Sequence, residues 1–331
     1  MIERCNTMTK KCLSFTEPLL ESFVSYVFTP FAGLYDDNFK LWFIHNFISL
    51  RCRLSYNNTI VQYDDVLNQI HVDNCPLFRK EVILRTAVQN NNELMSYVKK
   101  QIDNDMYIFL SLNQYYNPHA AYVFQTSHFN HTCLIIGYDD DLEEVTIADY
   151  FGSYQCKTIS YDNFCKGYFS YEYDRELNKY EMITSVKYAI NFRDYRENYL
   201  YRPQLLKNMI SYYLTGDTQG EESYGFYSYD VISSCLSGET AIERRTFHCL
   251  YDHKKAMRIR VNYLLDLKLV DLPNEKLIMF KSIEESFLQL RNMAHKYIHT
   301  KSSKLLQRMQ DLSAQLKNDE YSLLDYLIRE I

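Results

Sequence analysis

From residue 127 to 153 the chain reads S-H-F-N-H-T-C-L-I-I-G-Y-D-D-D-L-E-E-V-T-I-A-D-Y-F-G-S, two apolar β-branched runs separated by an acidic stretch. The pattern predicts a strand over 132–137, a turn at Asp139-Asp140-Asp141 and a return strand over 145–148. Further strands are expected over 106–112, 155–159 and 183–191. Upstream, Thr16-Glu17-Pro18 offers a capping hydroxyl and a first-turn proline. The apolar run 19–28 that follows predicts a buried central helix, stopped at Thr29-Pro30. Helices are also expected over 37–48 and 76–103, while 53–72 is compatible with short strands or helix.

After about residue 193 the character changes. A helix is expected over 203–213 and a Gly-, Ser- and acid-rich loop over 215–227. From 239 to the last residue the pattern is helical, with Phe280, Ile283, Phe287, Leu290 and Ala294 recurring at helical spacing. Leu305, Met309, Leu312 and Leu316 do the same. Pro273 and residues 300–303 divide these helices. Helices first and neighbouring strands afterwards predict an α+β fold with an antiparallel sheet over residues 1–192, followed by a helical region over 193–331.

With 331 residues, 47% of them apolar, the chain can bury a large core; 8 Gly and 6 Pro leave little material for long linkers. The net charge of −6 speaks against general nucleic-acid binding. The N-terminal residues M-I-E-R-C-N-T-M-T-K-K show no apolar export signal, and no window reaches the length of a membrane span. Nine scattered Cys without paired spacing fit free thiols, so a cytoplasmic location is expected.

The hairpin carries the candidate chemistry. His131 opens its first strand and Asp149 closes its second, so antiparallel pairing makes the imidazole and the carboxylate neighbours. A carboxylate on one ring nitrogen fixes the tautomer and frees the other nitrogen to act as a base. Cys12 is the expected nucleophile, placed ahead of the predicted central helix, whose dipole would favour the thiolate and whose amides would hold an oxyanion. Asn6 is a candidate oxyanion donor and Cys5 an alternative thiol. Pro18 stands against a helix beginning at Cys12 itself, since it would fall in the second turn.

Those residues resemble a known group. H-T-C-L-I-I-G-Y-D and I-A-D-Y, downstream of an N-terminal Cys, are similar to the papain-like fold in its C39-like form. His131, Gly137, Tyr138, Asp139 and Asp149 match its His, Gly-Tyr-Asp and Asp. The stretch 145–168 further resembles the bacterial branch that includes acyltransferases of butirosin and closthioamide assembly. The resemblance covers about residues 1–192. It implies a Cys12–His131–Asp149 triad that moves an acyl group from a carrier-protein thioester, presented on a phosphopantetheine arm, to a small amine, with no cofactor. Leu13 departs from the Gly or Trp that usually follows the cysteine. Tyr115, Tyr116, Tyr122 and Phe124 are candidates for an apolar substrate pocket. The basic residues Arg244, Arg245, Lys254, Lys255 and Arg258 are candidates for docking an acidic carrier.

Other readings use the same residues. The fold also serves cysteine peptidases and amidases, and a catalytically inactive member would serve as a binding protein, favoured if Cys12 is remote from His131. His119, His128, His131 and Cys133 are zinc-ligand types, but no distant paired motif accompanies them, and no metal is expected. No Gly-rich nucleotide loop and no G-x-S-x-G occurs.

Overall fold

The computed structural model describes residues 9–22, 25–55, 58–63, 75–170, 181–189, 201–238 and 241–331. They fall into two units: Met1–Leu19, Ser25–Leu34 and Cys75–Asn191 form one, and Leu20–Val24, Tyr35–Asn74 and Phe192–Ile331 the other. The division therefore differs from a single cut near residue 192, because residues 35–74 join the C-terminal unit. The fold is mixed, with antiparallel sheets and a C-terminal helical region.

Within the first unit, the described strands form one antiparallel sheet. They are β1 (Lys10–Cys12), β4 (Phe78–Leu84), β5 (Tyr107–Asn113), β6 (Asn130–Asp139), β7 (Glu144–Tyr150), β8 (Tyr154–Ser160) and β9 (Met182–Tyr188). Their order is β4-β9-β5-β6-β7-β8, with β1 added beside β6. Pairing of Ile135 with Ile147 and of Leu134 with Ala148 fixes the β6–β7 hairpin. One face of the sheet is apolar and covered by helices α3 (Asn91–Asp103) and α4 (Tyr161–Phe169). Leu110, Leu112, Cys133, Ile135, Ile147 and Ile159 pack there with Leu94, Val98 and Phe164. Each helix has a side-chain cap, Asn90 accepting from Glu93 N and Ser160 from Asn163 N.

Two expectations are corrected. The helix predicted from residue 16 is absent over 13–22, and the first helix, α1, is only Ser25–Phe28. The sheet competes successfully for this segment: Leu13 N donates to Ile136 O at 2.7 Å, and the Tyr107 hydroxyl donates to Ser14 O at 2.7 Å. Pro18 has no amide proton to give a helix and disfavours helical backbone at Glu17. The helix predicted over 76–103 is instead strand β4 followed by α3, because R-K-E-V-I-L pairs residue by residue with β9 and Asn90 supplies the cap.

In the second unit, helix α2 (Asp37–Ile44) is capped by Asp36 and buries Phe39, Trp42 and Phe43. Strands β2 (Leu50–Ser55) and β3 (Asn58–Tyr63) pair with a hairpin inside the expected 215–227 loop, β10 (Asp217–Gln219) and β11 (Glu222–Tyr224). This pairing, with Phe43 packed edge-on against Tyr263 at 5.5 Å, ties residues 35–74 to the C-terminal unit. Helices α5 (Pro203–Thr215), α6 (Ser228–Ser237), α7 (Arg244–Asp266), α8 (Asn274–Thr300) and α9 (Ser303–Glu330) complete it. The expected stripe Phe280, Ile283, Phe287, Leu290 and Ala294 is buried, as are Met309 and Leu316. Among the described residues, no helix is long and apolar enough to cross a membrane.

The basic run on α7 is not one docking face. Lys254 is 2% exposed and donates to both oxygens of Glu320, at 2.7 and 2.8 Å, and to the Tyr213 hydroxyl at 2.8 Å. Arg258 pairs with Glu284, and Arg245 pairs with Glu243. Arg244 is exposed and Lys255 half-buried. The stripe His253, Lys254, Met257, Arg260, Val261 and Leu264 has helical spacing, which puts Lys254 among the buried positions. Arg260 and His253 are also interior and donate to the carbonyls of Ile44, the last residue of α2, and Ile48.

A buried ion pair is costly to break and cheap to replace whole. Lys254→Met or Glu320→Leu alone is expected to cost about 3–5 kcal/mol in urea unfolding, and the double variant less than either. At Gly137, an added Cβ would stand 2.8 Å from Lys11 O and 3.0 Å from Cys12 Cα. Gly137→Ala is therefore expected to cost about 1–3 kcal/mol and to release β1, read as faster hydrogen exchange at the Leu13 amide.

Candidate active site

Strand register brings His131 and Asp149 together. Asp149 lies opposite Cys133, one step beyond the Leu134–Ala148 pair, and His131 is its diagonal neighbour on the same face. His131 Nε2 and Asp149 Oδ1 are 3.0 Å apart. The carboxylate is 6% exposed and the same oxygen also accepts from Tyr150 N at 2.7 Å, while the imidazole side chain remains 43% exposed. Nε2 donates its proton to the carboxylate, so in the neutral ring Nδ1 holds the lone pair. The hydrogen bond to Asp149 raises the His131 pKa; partial burial opposes this and the carboxylate charge adds to it.

Cys12 does not join them. It pairs with Gly137, six positions from His131 along β6, a separation of about 20 Å at the rise of a strand. It also lies over the other face: its sulfur bonds the side chain of Thr146, which alternates with the inward-facing Val145 and Ile147. Gly137 makes this possible by leaving room for Cys12 above the sheet. The expected helix dipole is missing too. Burial pushes the thiol up and the hydrogen bond with Thr146 opposes it in part, although the residue as a whole is exposed.

No other described thiol takes its place. Cys133, two residues from His131, turns its sulfur inward to Leu110 O, and burial pushes its thiol well up. Cys156 alternates with Gln155, the partner of Asp149, and so faces away from the pair; burial, with Cys12 nearby, pushes it up to about 12. Cys5 and Asn6 lie outside the described residues.

The expected aromatic pocket separates into two groups. Tyr115 stacks on His128, with ring centroids 4.5 Å apart, and touches Tyr116 edge-on. Phe124 is half-buried, and its amide donates to Ala120 O. Only Tyr122 shares the surroundings of the dyad: burial and the Asp149 charge raise its hydroxyl pKa. Phe129 was not singled out by motif, yet its ring lies nearly parallel to His131 at 6.0 Å. Its place two residues before His131, on the alternation that continues to Cys133, is the signal that points to it. Asn113 has no such signal. Buried at the end of β5, it accepts from Tyr115 N and Phe129 N and bonds His128 Nδ1 at 2.8 Å.

The zinc-type residues are separately engaged. His119 Nε2 donates to Thr158 O at 2.7 Å, and His128 and His131 hold the partners named above. Among the described residues no three His, Cys, Asp or Glu side chains converge. No family model and no curated protein matches the chain.

The dyad makes a sign-definite prediction. Because the folded pKa of His131 lies above its unfolded value of 6.5, the pair contributes stability that is fully present below 6.5 and lost as pH rises through the folded pKa. Asp149→Asn removes the main cause of the shift. In that variant the His131 ring protons are expected to titrate at lower pH by NMR than in the parent.

Proposed function

We propose that the protein is an amide-forming acyltransferase on a papain-like scaffold, with the His131–Asp149 dyad as general base and no acyl-cysteine intermediate. The observation that carries this reading is the 3.0 Å Nε2–Oδ1 contact between a half-exposed imidazole and a buried carboxylate. The matches at His131, Gly137, Tyr138, Asp139 and Asp149, within an antiparallel sheet, support the scaffold. The short helix α1 departs from it, since among the described residues no long helix carries a nucleophile toward the imidazole.

In the step proposed, an amine bonded to Nδ1 attacks the carbonyl of an acyl thioester on a carrier's phosphopantetheine arm. The C–N bond forms as the amine proton passes to Nδ1. The C–S bond then breaks, and the departing thiolate takes the proton back from the imidazolium. The Asp149 carboxylate, 3.0 Å from Nε2, offsets the positive ring. The base form exists above the raised pKa of His131, so the rate rises with pH through it.

The acyl-Cys12 route is not retained, and a cysteine peptidase or amidase reading that uses Cys12 loses its ground with the same sulfur. The distance of Cys12 from His131 favours one second reading, a catalytically inactive member of the fold that binds the carrier or its arm.

The test is an acyl-pantetheine thioester with a panel of amines, followed by mass spectrometry of products and intact protein. Amide product is expected, with Cys12→Ala near parent activity and His131→Ala slower by about 10²–10⁴-fold. A covalent adduct on any cysteine overturns the direct-attack mechanism. Carrier binding without turnover supports the inactive binding protein.

A further inference from the structure

We propose that Tyr122 and Phe129 form an aromatic corner that selects an amine acceptor carrying an aromatic ring. This rests on reading the dyad as a general base, and it adds which acceptor that base serves. The Phe129 ring lies 16° from the plane of His131, with centroids 6.0 Å apart. Tyr122 stands against Phe129 at 61° and 6.3 Å. The two rings thus present a floor and a wall that meet beside the imidazole.

Both rings are open to ligand, Tyr122 at 67% and Phe129 at 44% exposure. Scattered exposed apolar side chains are ordinary on a protein surface; two in contact with each other and with a candidate base are a patch with a direction. The backbone that carries the floor of the corner is also fixed. Phe129 N donates to the buried Asn113 Oδ1 at 3.3 Å, and Phe129 O accepts from Gln114 N at 2.7 Å. A floor fixed on both sides of its peptide loses little freedom when a ligand lands on it.

A flat aromatic group fits this shape better than an alkyl chain. It can stack over Phe129 while Tyr122 meets it at an angle, the two arrangements that aromatic pairs favour. An amine one or two carbons from such a ring would reach the neighbouring imidazole. Its cationic form is also attracted to ring faces and to the Asp149 charge before it gives up a proton. Asn113 acts in this scheme as a positioning residue for Phe129.

The test is an NMR titration of the full chain, without acyl donor, using phenethylamine and butylamine. Phenethylamine is expected to bind about tenfold more tightly and to shift the Phe129 and His131 ring protons by its ring current. Phe129→Leu and Tyr122→Leu are expected to abolish the preference; Tyr122 is exposed enough to be replaced without loss of the fold. Equal affinity for the two amines, or binding of neither, overturns the corner. If phenethylamine is preferred but no amide forms with a thioester, the base reading falls and the corner stands. Equal transfer to both amines sinks the corner and leaves the base.

Discussion

Strand β6 is the constraint from which the first unit is measured. Hydrogen-bonded on one side to β5 and β1 and on the other to β7, it has no freedom to slide, because a one-residue slip would turn Cys133 and Ile135 out of the core. That fixed register sets both the gain and the loss at the candidate site. His131 and Asp149 meet because they fall on the same face one diagonal apart. Cys12 cannot reach them because β1 joins the far end of the same strand and its sulfur turns to the other face.

The chemistry follows from this division. A thiol ahead of a helix would gain acidity from the helix dipole, whereas for Cys12 on the sheet burial works the other way and outweighs the hydrogen bond with Thr146. An imidazole backed by a buried carboxylate keeps its proton-accepting role whether or not a sulfur is near. What this part of the molecule holds is an imidazole–carboxylate pair beside two exposed aromatic rings.

The hairpin was legible in the sequence because its period of two, its acidic turn and its two ionisable ends agree with one another. The nucleophile was not, because a cysteine before an apolar run reads equally well as a strand or as a helix start. Only the long-range pairing of Cys12 with Gly137 decides between them. The same holds for 78–84, where R-K-E-V-I-L suits either state until β9 is there to pair with it. Lys254 shows the opposite case: its charge suggested a surface, while its position in a helical stripe with Met257, Val261 and Leu264 already placed it inside. Such a lysine needs a buried acid, and Glu320, 66 residues away, could not be named from spacing alone.

The interleaving of the two units bears on how the chain is made. Residues 35–74 leave the ribosome early, but the partners they fold with, β11 and α7 among them, are synthesised only after the first unit's last strand. The segment must wait for them through the translation of more than a hundred residues, carrying Phe39 and Phe43 without Tyr263, against which both rings pack edge-on. Cutting the gene near codon 192 would likewise strand that segment, so neither half can be inherited or shuffled as a simple contiguous cassette.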